Sequence, residues 1–174
     1  MRDGSLREVL GIELPIIQAP MAGAQGSALA VAFRHFTQAD TAVCLALFEL
    51  NCPAYFAPEE RADYAAFLRG ADATYEVCLS GGRVVGAFGL TPGEAGSARV
   101  NWILLDPAAK GTGVGAAMMQ RAIGLARGAG ATHINIAASH LSEAFFAKFG
   151  ARTLTRQEDG WAPGMHRHDM VLEV

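Results

Sequence analysis

The twelve residues Leu104-Leu105-Asp106-Pro107-Ala108-Ala109-Lys110-Gly111-Thr112-Gly113-Val114-Gly115 constrain this chain more than any other stretch. They close an apolar, strand-like run and open a helix that carries Val114, Met118, Ala122 and Leu125 on one face. Gly111, Gly113 and Gly115 remove side chains where the backbone must turn. Backbone N–H groups at the positive end of the following helix can then converge on an anion, with Lys110 as a neighbouring cation. The pattern predicts a phosphate cradle.

Two familiar phosphate loops fit it poorly. A P-loop needs Gly-Lys-Ser/Thr at the helix start, and here Gly113-Val114-Gly115 runs into Ala116. A dinucleotide fingerprint can be traced through Gly111, Gly113 and Ala116. However, five residues separate the strand from the first glycine, and the next strand, His133 to Ala138, ends without a carboxylate.

The chain's 174 residues suit one domain and fall short of a TIM barrel, which needs ~250. Fourteen Lys+Arg against 17 Asp+Glu, net charge -3, supply no basic face in bulk, so nucleic acid is not the expected partner. Cys44, Cys52 and Cys78 lie among apolar neighbours without C-x-x-C spacing and read as reduced, buried thiols. Apolar runs are broken at Glu13, Arg34 and Glu49 before the ~18 residues of a membrane helix, so no membrane is expected as partner. Glu8, Glu13 and Pro15 interrupt any signal-peptide core, and the expected compartment is the cytoplasm.

Along the chain, Leu29 to Phe36 reads as a strand, followed by a helix from Thr37-Gln38-Ala39-Asp40 to about Asn51 and a second after Pro58. Ser80-Gly81-Gly82 punctuates a hairpin between Thr74–Leu79 and Arg83–Leu90. Ala98 to Leu105 is the next strand and Val114 to Arg127 the strongest helix, stopped by Gly128 and Gly130. Thr132 to Ala138 is a strand and Leu141 to Phe149 a short helix. Ala151–Arg156 and His166–Val174 read as two final strands joined by a loop over Gln157 to Gly164. The order is β-α-α-β-β-β-α-β-α-β-β, an α/β (α+β) chain with a mixed, mostly antiparallel sheet flanked by helices.

Lys110-x-x-Gly113-x-Gly115 resembles the acyl-CoA pyrophosphate loop of the GNAT superfamily of N-acetyltransferases. Element order from Leu29 to Val174 is similar to the whole fold of that family, and Phe145-Phe146-Ala147-Lys148-Phe149-Gly150-Ala151 is similar to its aromatic-rich fourth helix. Phe56 to Arg61 and Asp159 to Gly164 look like one bacterial subgroup. A second resemblance covers Leu10 to Gly23, which is similar to the opening strand of nitronate monooxygenase-type flavin barrels. One strand cannot close a barrel or hold a flavin, so residues 1–28 are read as an arm and 29–174 as the domain.

The family resemblance implies acetyl-CoA as co-substrate and direct transfer of its acetyl group to a small amine or a protein amine, with a possible homodimer. It implies that Leu104, Leu105, Lys110, Gly111, Thr112, Gly113, Val114, Gly115, Ser139 and Phe146 contact the cofactor. Leu105 would supply the oxyanion N–H. Lys110 stands where Arg or Gln is usual, Ser139 where Asn is common, and Phe146 where many members carry a proton-donating Tyr. Ser139 or water is therefore the expected source of that proton. Asp106, His140, Glu143 and His166 are the candidate bases, with His140 favoured by its place at the start of the fourth helix. His166 and His168 share a strand face but lack a third ligand, so no metal is expected. Trp161 and Asn101 are candidates for the acceptor side. The alternative reading is a CoA-binding domain with little or no catalysis.

Overall fold

The computed structural model describes residues 30–71 and 74–174. The proposed arm and its flavin-barrel resemblance therefore lie outside the described residues. Seven strands, β1 (Val31–His35), β2 (Tyr75–Ser80), β3 (Arg83–Pro92), β4 (Ser97–Leu105), β5 (His133–Ser139), β6 (Arg152–Ala162) and β7 (Met165–Glu173), form one sheet. Its order is β1-β2-β3-β4-β5-β7-β6. Four helices accompany it: α1 (Thr41–Asn51), α2 (Glu60–Gly70), α3 (Val114–Gly128) and α4 (Glu143–Ala147). This is the expected element order, and every strand pair is antiparallel except β4 with β5.

Side-chain alternation divides the sheet between two helical layers. Val77 and Ala87 face α1 and α2, packing with Phe48, Tyr64 and Leu68. Their neighbours Cys78 and Phe88 face α3, against Val114, Met118 and Ala122. Further along the α3 face, Ile134, Ile136, Met170 and Leu172 meet Met119 and Phe146. Cys44 and Cys78 are buried as expected, and burial pushes the Cys78 thiol up to about 12; Cys52 is only half-buried.

A 3-10 turn over Gln38–Asp40 precedes α1, which starts at Thr41 and not at Thr37, and two further boundaries differ from the sequence reading. The segment Gln157 to Gly164 is not a loop: β6 runs to Ala162, and only Pro163-Gly164 turn the chain. β6 is an edge strand in which Leu154 to Asp159 are exposed in succession, on both faces, so it shows no apolar alternation, and its register shifts between Gln157 and Ala162. The fourth helix shrinks to Glu143–Ala147, because His140–Ser142 form a separate 3-10 turn.

The start of the first helical layer is fixed electrostatically. Asp40 accepts the Thr37 N–H and hydroxyl at 2.9 Å and a bidentate pair from Arg34 at 2.7 Å. The Arg34 guanidinium, aided by Thr37, holds the Asp40 carboxyl down to about 2. A carboxyl depressed in the folded state stabilises above its unfolded value, and that stabilisation fades as pH falls through the folded value. Asp40→Asn is expected to cost about 1 kcal/mol at pH 7, discounted because Arg34 is half in solvent. In urea titrations the gap between the two proteins should close as pH drops from about 4 toward about 2.

Candidate active site: a split sheet above a glycine loop

β4 and β5 pair only where Ser97–Arg99 meet His133–Asn135. Beyond that point the two strands separate, and the gap opens into a cleft of about 630 Å³. A bulge helps to shape it: Trp102 and Ile103 of β4 stand opposite Phe88 alone, with Trp102 at φ +44°. That conformation is uncommon for a bulky residue and is held from both sides. The Trp102 carbonyl accepts the Tyr75 hydroxyl at 3.0 Å, which is itself bonded to the Tyr64 hydroxyl at 2.7 Å. The indole packs against Phe48, Phe56 and Tyr64.

Where β4 ends, backbone direction becomes chemistry. Asp106 N–H donates to Val85 O at 2.8 Å, so strand alternation turns the Leu105 N–H away from β3, toward the gap. Leu105 O is held by Asn51 Nδ2 at 2.9 Å, and the same amide donates to Leu47 O at 2.8 Å. Asn51 thereby locks the end of α1 to the strand end that lines the cleft. Leu104 turns its side chain into the core, so any contact it makes with a ligand is through backbone.

At the bottom of the gap lies the glycine loop. Gly113 caps α3 at φ +91°, a left-handed conformation that side chains resist. Gly115 is needed for proximity: a Cβ there would sit 3.3 Å from Phe145 and 3.4 Å from Leu105. Gly111, Gly113 and Gly115 all line the cleft, whereas Val114 is buried beneath it and the Thr112 hydroxyl is tied to Ala109 O at 2.6 Å. Lys110 Nζ rests on Tyr55, 3.0 Å from the phenol oxygen and 4.3 Å from the ring centre.

Across the gap, Ser139 is buried, lines the cleft, and its Oγ lies 3.1 Å from Ser142 Oγ. Phe146 also lines it and otherwise belongs to the core. Trp161 Nε1 donates to Ala138 O at 3.3 Å, satisfying a carbonyl near the open end of β5, and Arg167 stacks over the indole at 4.9 Å. Asn101 lines the cleft with its amide on Thr91 Oγ1, 2.8 Å away.

The four candidate bases separate. Asp106 caps the turn after β4 through Ala108 N–H. Glu143 is taken up by Thr153, Arg156 and the His168 ring 2.9 Å away, which together hold its carboxyl below the usual range. Its contact with His168 lacks hydrogen-bond alignment. His166 Nδ1 accepts Asp159 N–H at 3.0 Å. His140 lies 4.7 Å from the His166 ring, and its Nδ1 accepts the His166 backbone N–H at 3.3 Å. That bond assigns the neutral His140 proton to Nε2, so a base role there requires a change of tautomer.

Sequence reading passed over Glu60, which there falls only within the helix expected after Pro58. It is the one carboxylate among the described residues that line the cleft. Burial raises its carboxyl, opposed by the Ala57 N–H bonded to Oε2 at 2.7 Å. A carboxylate three residues after Ala57 was visible in the sequence, but its facing the cleft depends on how α2 packs.

None of the described helices is long and apolar enough to cross a membrane. No curated protein sequence matches the chain. Its fold is shared with a GCN5-related N-acetyltransferase from Kribbella flavida at 22% identity and TM-score 0.69, covering 83% of this chain and 98% of that one. Ard1 from Thermoplasma volcanium superposes with TM-score 0.72 at 18% identity, covering 84% and 99%. The yncA protein from Salmonella typhimurium, solved with its cofactor acetyl-CoA, gives TM-score 0.66 at 15% identity over 83% and 94%. The model of the acetyltransferase (GNAT) family matches residues 44–151, well over half of the chain, and the protein belongs to that family.

Proposed function

We propose that the protein transfers the acetyl group of acetyl-CoA to an amine by direct attack on the thioester. The observation that carries this reading is the split between β4 and β5 above the Gly111–Gly115 loop, which joins an anion cradle to a strand edge with unpaired length. The Salmonella protein of the same fold holds acetyl-CoA. In this chain, backbone N–H groups of the glycine loop and the Lys110 ammonium suit a pyrophosphate, and the parted edge of β4 suits the amides of a pantetheine arm.

The amine nitrogen bonds to the carbonyl carbon, the C–S bond breaks, and the amine loses one proton while the thiolate gains one. Leu105 N–H faces the gap where the oxyanion forms, and Asn51, bonded to Leu105 O in the next peptide, steadies the residue that carries that N–H. Phe146 cannot protonate the thiolate. The Ser139–Ser142 hydroxyl pair is the protic group beside it on the β5 side of the cleft. A thiol of pKa ~8.5 is a fair leaving group, so weak acid assistance suffices. Ser139→Ala is expected to lower kcat about tenfold, below the 10²- to 10⁴-fold range for general acids, with KM for acetyl-CoA little changed.

Thiol release from acetyl-CoA, followed colorimetrically against a panel of primary amines, tests the reading. Amine-dependent release supports transfer. Binding of acetyl-CoA with no release by any amine would favour the second reading, a CoA-binding domain without turnover, which the apolar Phe146 motivates.

A further inference from the structure

A second cavity, of about 310 Å³, opens beside the cleft and shares Leu141 with it. The α1–α2 connection gives Pro53, Ala54, Ala57 and Pro58 to one wall, and the β6–β7 turn with the first residue of β7 gives Pro163, Gly164 and Met165 to the other. Among its described lining residues His140 is the sole titratable side chain, and the His140 Nδ1 is already occupied by the His166 N–H. No carboxylate and no cation belongs to that lining. Two carboxylates are bonded to its wall: Glu60 on the cleft side, whose Oε2 accepts the N–H of Ala57, and the exposed Asp159, whose Oδ1 accepts the N–H of Gly164 at 2.8 Å. Glu60 thus stands at the border between the cleft and a half-open chamber with no charged side chain in its lining, large enough for a small organic group.

Building on the acetyl-transfer reading above, we propose that the acceptor is a primary monoamine bearing an alkyl or arylalkyl chain. Its nitrogen lies on the Glu60 side and its chain fills the chamber. Each methylene moved from water into such a wall favours binding about three- to fourfold. A second ammonium on the same chain would lose hydration there, and the carboxylate on that side, Asp159, is already engaged by the Gly164 N–H and lies 3.5 Å from the His166 ring, which disfavours polyamines and aminosugars.

Calorimetric titration of the full chain, with and without saturating CoA, compares n-hexylamine, n-butylamine and the terminal diamine of the six-carbon chain. n-Hexylamine should bind about tenfold tighter than n-butylamine and at least tenfold tighter than the diamine. Ala54→Trp, at an exposed position of the connection, should erase the chain-length dependence by filling the chamber. Glu60→Gln, which keeps an oxygen for Ala57 N–H, should weaken n-hexylamine about tenfold as an ion pair is lost. Equal affinities, a preference for the diamine, no measurable binding of the monoamine, or a chain-length dependence unchanged by Ala54→Trp would overturn the proposal. Acetyl-CoA titrated into the same protein separates the two levels. If the amines behave as expected and acetyl-CoA does not bind, acetyl transfer falls and the amine site stands. If acetyl-CoA binds and the amines are not distinguished, only the acceptor proposal falls.

Discussion

Gly113→Val is expected to raise KM for acetyl-CoA on the order of 10²-fold, with far-ultraviolet circular dichroism unchanged. The residue sits at φ +91° at the first turn of α3, where a β-branched side chain forces the backbone out of its left-handed conformation. No heavy atom lies within 4 Å of where a Cβ would stand, so the side chain meets open space and the fold survives. What changes is the aim of the N–H groups on the cleft floor, and with it the cradle for the pyrophosphate. Because binding to the cradle is the same in ground and transition states, kcat at saturation should move much less. Gly113→Ala, with a smaller conformational penalty, should lie between wild type and the valine variant.

Arg121→Ala, at a half-buried position of α3, is expected to cost about 3 kcal/mol or more by urea unfolding. Glu76 on β2 is almost fully buried and takes two hydrogen bonds from Arg121, at 2.7 and 2.9 Å. Removing the arginine leaves a carboxylate under the sheet with no partner, and that uncompensated charge sets the magnitude. The double variant Glu76→Leu, Arg121→Leu should recover most of the loss, because the pair itself contributes little beyond its own desolvation. Since the same helix presents Gly113 and Gly115, the single variant should also weaken acetyl-CoA binding, and the double variant should restore it.

The parts of the site that were legible in the sequence are local. Glycines at fixed spacing, an apolar run before them and a 3.6-residue periodicity after them specify strand, loop and helix without knowledge of the rest. The family resemblance supplied the remaining roles, and the fold agrees with it from Val31 to Glu173. What was not legible depends on pairing. The positive φ of Trp102 arises only when β4 bulges against β3, and Asn51 reaches Leu105 O across 54 residues of sequence. Glu60 reads as an ordinary helix-start acid until α2 is docked beside the cleft. His140 likewise reads in the sequence as a candidate base, and only the docking of β7 shows its Nδ1 engaged. The first half of β6 reads as a strand and its second half as a loop, because an edge strand carries charge where an interior strand carries apolar alternation.

The central claim is that the split sheet and its glycine loop bind acetyl-CoA. Calorimetric titration of acetyl-CoA into the wild-type protein and into Gly113→Val tests it most directly. A dissociation constant on the order of micromolar for wild type, weakened on the order of 10²-fold by the substitution, is the predicted result. Absence of binding to wild type, or equal binding to both proteins, would contradict it.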